Sequence, residues 1–263
     1  VVCCESGHIN VHEAGAIEAD GHKVIALPGD NGKLDAKVLE RYIEDFYHDE
    51  TNEHMVRPGM VYISHPTEYG TLYSRSELEA MRDACRKYGM PLYIDGARLA
   101  YGLAADGTDV SLRDIAQIAD VFYIGGTKCG ALFGEAVVTR HTHLLPRFTS
   151  LMKLHGALLA KGRLLGVQFS ALFNDDLYLS IGRHADRLAR ILKEGMRERG
   201  YRIFIDSPTN QQFFILPNGL IDKLSEHIGF ELWGPRGEFE SIVRFVTDWS
   251  TTEEDVMSLL SLC

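Results

Sequence analysis

The sequence contains no uninterrupted apolar run approaching the ~18 residues that a membrane-spanning helix needs. No segment reads as a signal peptide. Lysine and arginine form no basic stripe, and the formal net charge is −10, so no nucleic-acid partner is expected. The five cysteines (Cys3, Cys4, Cys85, Cys129 and Cys263) are odd in number, and their spacing fits neither a disulfide framework nor a zinc site. A reducing compartment, the cytoplasm, is the expectation, with no metal centre. Internal repeats, low-complexity tracts and long linkers are also missing. The chain opens at Val1 on what reads as a strand already under way, so we expect a segment upstream of it.

What is present is a chain of 263 residues, 45% of them apolar, enough for one large domain or a large and a small one. In the first half, short apolar runs alternate with helical spacing. The strands expected are Val1–Cys4, Lys23–Leu27, Met60–Ser64, Leu92–Asp95, Val121–Gly125 and Ala136–Thr139. The helices expected are Asn10–Ala19, Asp35–Tyr47, Ser76–Tyr88 and Leu112–Ile118. Strands that alternate with helices predict a mostly parallel α/β sheet. From Leu144 to Phe173 the pattern predicts one or two helices, and Leu177–Arg199 one long one. Strands at Tyr201–Ile205, Gln212–Leu216 and Ile242–Thr247, with helices at Pro217–His227 and Glu253–Leu262, suggest a smaller α+β unit. The expected division is a large domain over residues 1–173 and a small one over residues 174–263.

Four places could carry chemistry. In Phe122-Tyr123-Ile124-Gly125-Gly126-Thr127-Lys128-Cys129-Gly130, an apolar strand ends in glycines that let backbone approach a ligand. Lys128 there is either a solvated lysine in a turn or an amine able to form a Schiff base with an aldehyde cofactor. In Leu92-Tyr93-Ile94-Asp95-Gly96-Ala97-Arg98, Asp95 either caps the next helix or charge-pairs with a protonated ring nitrogen. His8, in Ser6-Gly7-His8-Ile9-Asn10, follows the first strand and is either a surface histidine or a group that stacks on a flat ring or moves a proton. Arg244 interrupts the apolar strand Val243-Arg244-Phe245, either as half of a structural ion pair or as a fork for a carboxylate.

The order of these features over the whole chain (HINVHEAG, YIDGAR, GGTKCG, IVRFVT) resembles the threonine aldolase and aromatic amino acid β-eliminating lyase family. That family consists of fold-type-I enzymes dependent on pyridoxal 5'-phosphate (PLP). The resemblance implies that Lys128 carries the cofactor aldehyde and that Asp95 holds its ring nitrogen. It implies that His8 stacks on the ring and is a candidate base, that Arg98 and Arg244 bind the substrate carboxylate, and that Arg98 also contacts the cofactor. Thr127 matches a position whose hydroxyl touches the cofactor phosphate. Family members often carry a histidine in the loop after the third strand, where it handles the substrate β-hydroxyl. Here that loop reads Ser64-His65-Pro66-Thr67-Glu68-Tyr69-Gly70, and Glu68 takes the place and could accept the same proton. The family also carries an upstream helix N-terminus that binds the phosphate.

The expected activity is cleavage of a β-hydroxy-α-amino acid such as threonine or allo-threonine to glycine and an aldehyde. The alternatives are β-elimination or transamination of another amino acid, or a non-catalytic PLP-binding fragment. The resemblance further implies a homodimer or homotetramer, in which Lys153, Lys161 or Arg163 could reach a phosphate.

Overall fold

In a computed structural model that describes residues 1–263, two sheets organise the chain. The first half contributes, in order, β1 (Val2–Cys4), α1 (His8–Val11), α2 (Ala16–Ala19), β2 (Ile25–Leu27), α3 (Ala36–His48), β3 (Val61–Ser64), α4 (Arg75–Lys87), β4 (Leu92–Asp95), α5 (Leu99–Ala104), α6 (Leu112–Ile118), β5 (Val121–Gly125) and β6 (Glu135–Thr139). The sheet order is β2-β1-β3-β4-β5-β6. All neighbours run parallel except β5 and β6, which pair antiparallel across the connection that contains Lys128. The chain leaves β1 towards one edge of the sheet and returns past it to β3. In sheets of this kind such a reversal opens a crevice at the carboxyl ends of the strands.

One face of this sheet is aliphatic. Val61, Ile63, Leu92, Ile94, Phe122 and Ile124 alternate inward and share a core with Leu39, Ile43, Leu78, Met81 and Ile115 from the helices. The period of two places the other residues of β3, β4 and β5 on the opposite face. That face carries Tyr62, Tyr93 and Tyr123. The Tyr62 and Tyr93 rings are stacked 5.8 Å apart, and Tyr123 lies 6.3 Å from Tyr93.

The remainder forms α7 (Phe148–Leu154), α8 (Arg163–Leu172), α9 (Leu177–Glu198), β7 (Arg202–Ile205), β8 (Gln211–Pro217), α10 (Asn218–Ser225), β9 (Glu231–Leu232), β10 (Glu240–Val246) and α11 (Glu253–Leu262). The second sheet, β7-β8-β10-β9, is antiparallel throughout. Its inner residues Phe214, Leu216, Val243 and Phe245 pack on Leu192, Met196, Leu224, Leu259 and Leu260. α9 belongs to both cores, giving Tyr178 and Ala185 to the first and Leu188 and Leu192 to the second. No helix is long and apolar enough to cross a membrane.

Two expectations on the elements need correction. The single helix expected over Asn10–Ala19 is two four-residue helices, because Ala14 and Gly15 both adopt left-handed backbone (φ 52° and 75°) and break the helical run between them. α5, absent from the sequence reading, is buried on all sides at Leu99, Ala100, Tyr101 and Gly102, so its sequence has no polar face to announce a helix.

Candidate active site

Parallel strands deliver their carboxyl ends to the same edge of a sheet, and here four of them carry the candidate residues. The turn after β1 carries His8, the loop after β3 carries Glu68, β4 ends on Asp95, and the turn after β5 carries Lys128. His8, Glu68, Asp95, Arg98 and Lys128 line one cleft. The β4 and β5 turns come this close because two glycines permit it. The Gly125 N–H donates to the Gly96 carbonyl at 2.9 Å. A Cβ at Gly96 would run into the Tyr123 carbonyl oxygen, and one at Gly125 into that of Ala97.

Asp95 is held on several sides. Its Oδ1 accepts from the Tyr123 hydroxyl at 2.5 Å and from the Ala97 N–H at 2.9 Å, while Oδ2 accepts from the Tyr62 hydroxyl. Desolvation, and next the like charge of Arg98, lower the pKa of the Lys128 amine, with Asp95 and Glu135 opposing. A lowered pKa leaves more of the amine neutral, as a nucleophilic lysine requires. Glu135 lies across from it on β6, and its Oε2 accepts from the Gly126 N–H at 2.5 Å. Burial raises the pKa of the Glu135 carboxyl.

Glu68 is 6% exposed. Burial raises its pKa, while Ser64 Oγ at 2.5 Å and the His8 backbone N–H at 2.9 Å donate to Oε1 and favour the ionised form. Glu68 therefore presents a buried carboxyl whose Oε1 accepts two hydrogen bonds within the cleft. The half-exposed His8 ring pairs through Nδ1 with Glu13, and its centroid lies 5.1 Å from that of His12.

Arg244 reaches the same region from the second sheet. Its neighbours Val243 and Phe245 point into the small core, so strand alternation turns Arg244 to the opposite face. There Arg98, Arg244, Glu68, His8 and Trp233 line a second cleft that shares His8, Glu68 and Arg98 with the first. The Arg244 guanidinium sits 4.8 Å from the Trp233 ring, donates to Gln211 Oε1 at 2.9 Å and pairs with Glu231. Burial, and then the like charge of Arg244, hold Arg98 below the usual arginine range. A carboxylate placed between two such guanidinium groups would relieve that repulsion.

The loop carrying Glu68 is clamped to the second sheet. Ser207 and Thr209 hydroxyls donate to the Gly70 carbonyl at 3.1 and 3.2 Å, and Tyr69 packs among Phe213 and Trp233. Thr127 lies outside both clefts, exposed and turned towards Glu135, and Lys153, Lys161 and Arg163 line neither cleft. The sequence reading missed Tyr62, Tyr123, Glu135 and Glu13. Glu13 stood within the HINVHEAG stretch, whereas Tyr62 and Tyr123 lie on strands other than the one that ends on Asp95, so no spacing within the sequence joins them to it.

Residues 1–217 match the beta-eliminating lyase family. A low specificity L-threonine aldolase of Pseudomonas aeruginosa is 30% identical over 262 residues, which are 98% of this chain and 74% of that protein. The structure of Leishmania major threonine aldolase superposes with a TM-score of 0.94 at 41% identity, over 99% of this chain and 75% of that one. A Thermus thermophilus aspartate aminotransferase variant, at 15% identity and a TM-score of 0.70 over 99% of this chain and 68% of its own, shares the fold. On the family match and these likenesses, the chain belongs to the beta-eliminating lyase family.

Proposed function

We propose that the chain is a PLP-dependent lyase that cleaves threonine or allo-threonine to glycine and an aldehyde. The observation that carries this reading is the convergence of Lys128, Asp95, Glu68 and Arg98 on one cleft, with Arg244 entering from the second sheet. The residues present fit the cofactor. Lys128 has a depressed amine pKa, and Asp95 is a carboxylate fixed by three donors at the end of a parallel strand. Asp95 would hold a protonated ring nitrogen, Lys128 would hold the aldehyde carbon, and His8 would face the ring. Bound there, PLP supplies an electron sink for the bond that breaks at the substrate α-carbon.

The chain's own residues do the rest. Arg98 and Arg244 grip the substrate carboxylate, which fixes the orientation of the α-carbon. Glu68, or His8 beside it, takes the proton of the β-hydroxyl. Trp233 stacks on Arg244 and helps hold its orientation. Incubating the PLP-loaded chain with threonine and allo-threonine and analysing the products tests the assignment. Glycine and acetaldehyde are expected. Ammonia and a keto acid would instead establish the β-eliminating alternative.

Two further parts of this reading concern the whole chain. The division into a large and a small domain, proposed after residue 173, is supported by two separate cores, although Tyr178 and Ala185 of α9 pack in the first of them. A homodimer or homotetramer is supported by large apolar side chains left exposed between residues 132 and 167, among them Leu132 at 86%, Leu154 at 77% and Val167 at 63%.

A further inference from the structure

A cavity of about 360 Å³ lies between α9 and the β7–β8 loop and shares no residue with the two clefts. Asp186 on α9 lines it, is only 8% exposed, and has no hydrogen-bond partner on either carboxylate oxygen. Gln212, 1% exposed, lines it too. The Gln212 Nε2 donates to the carbonyls of Thr209 at 2.7 Å and Ser207 at 3.2 Å, which uses both its hydrogens. That fixes the amide orientation and leaves Oε1 buried without a donor. Buried acceptors left unpaired are costly, and those that persist call for an explanation. Burial, and next the neighbouring carboxylate of Asp106, push Asp186 up to about 8, with the charge of Arg190 opposing.

The rim has the opposite character. Arg183, Arg187 and Arg190 follow one another at spacings of four and three on the same face of α9. Their acidic partners are exposed, as in Arg187 with Glu253 at 2.9 Å and Arg190 with Asp106. Exposed pairs of that kind are weak and exchange readily for another anion. Lys193 also lines the cavity and is already paired with Asp206 at 2.8 Å. Buried acceptors together with exposed, exchangeable guanidinium groups match the two ends of a zwitterion.

We propose that this cavity is a second binding site for a small α-amino acid. Its ammonium group sits on Asp186 and Gln212 Oε1, and its carboxylate sits on the arginine rim. Because the walls come from Ala104 and Asp106 on one side and from Ser207 and Pro208 on the other, occupancy ties the two sheets together and is suited to regulation. The choice of glycine as the probe rests on the proposed reaction, of which glycine is a product.

The test is equilibrium dialysis of radiolabelled glycine against the PLP-loaded chain, with a parallel titration of the cofactor's visible absorbance. Two equivalents per chain are expected, one of them spectrally silent. Asp186→Asn removes the silent equivalent and leaves the spectral one. Arg187→Ala, at an exposed position that does not threaten folding, weakens the silent equivalent about tenfold. A silent equivalent without any spectral change would sink the proposed reaction and leave this site standing. A single, spectrally visible equivalent would overturn the site. So would a silent equivalent that survives both substitutions, or acetate binding as tightly as glycine, which would make it a plain anion patch.

Discussion

Among single residues, the most informative are those whose ionisation the fold has displaced. Glu68 combines burial, which raises its pKa, with two donors on one oxygen, which lower it, and it is the proposed acceptor of the β-hydroxyl proton. Glu68→Gln keeps the shape and removes that capacity. Turnover of threonine should fall by about 10²–10⁴-fold, the usual contribution of a positioned base, with KM changed far less. An unaffected rate would pass the role to His8. His65, on the same loop, is fully buried with both ring nitrogens unpartnered, and burial lowers its pKa to about 4 from an ordinary 6.5. The folded chain then binds fewer protons than the unfolded one between those values, so stability is lost as pH falls from 6.5 through 4. The loss should approach roughly 3 kcal/mol. Melting temperatures across that range should fall less steeply in His65→Gln than in the wild type, and equal slopes would refute the assignment.

Residues at strand ends were the most legible part of the site. Asp95 and Lys128 terminate apolar runs next to glycines, a pattern visible without coordinates. Tyr62, Tyr123 and Glu135 were not, because their convergence on Asp95 and Lys128 depends on which strands are neighbours and in what register. One sequence carries its own periodicity but not the pairing.

Among the elements, periodicity located most strands and long helices. α4, α6 and α11 each begin at a capping box, formed by Ser74 with Glu77, Ser111 with Asp114 and Thr252 with Asp255. The antiparallel direction of β6 was illegible, since an alternating pattern reads the same both ways. β9, with two residues, offers no pattern at all. The helix pair that joins the site to the rest of the molecule is α5 against α9. Gly182 makes that contact possible, because a Cβ there would collide with the Ala100 carbonyl oxygen and the Ala104 side chain. Gly182→Ala should cost about 1–3 kcal/mol by overpacking, despite the higher helix propensity of alanine. Urea denaturation would measure it, and a more stable variant would show that the helices can separate at no cost.

For the whole molecule, the parallel sheet supplies the cleft and the antiparallel sheet supplies Arg244. Ser207, Thr209 and Tyr69 hold the two in place around Glu68. The acidic balance and the absence of a basic stripe said little about this arrangement, since they describe the surface rather than the site. The exposed leucines between residues 132 and 167 belong to the same scale. Sedimentation of the chain should show a dimer or larger species, and Leu154→Glu with Leu164→Glu should shift it towards the monomer. A monomeric wild type would remove the basis for an interface there.

The central claim is that Lys128 carries the cofactor in the cleft formed by β1, β3, β4 and β5. Borohydride reduction of the PLP-loaded chain, followed by proteolysis and mass spectrometry, tests it most directly. A single pyridoxyl group is expected on the peptide containing Lys128, and none in Lys128→Ala. A label on another lysine such as Lys153 or Lys161, or the same labelling in Lys128→Ala, would contradict it.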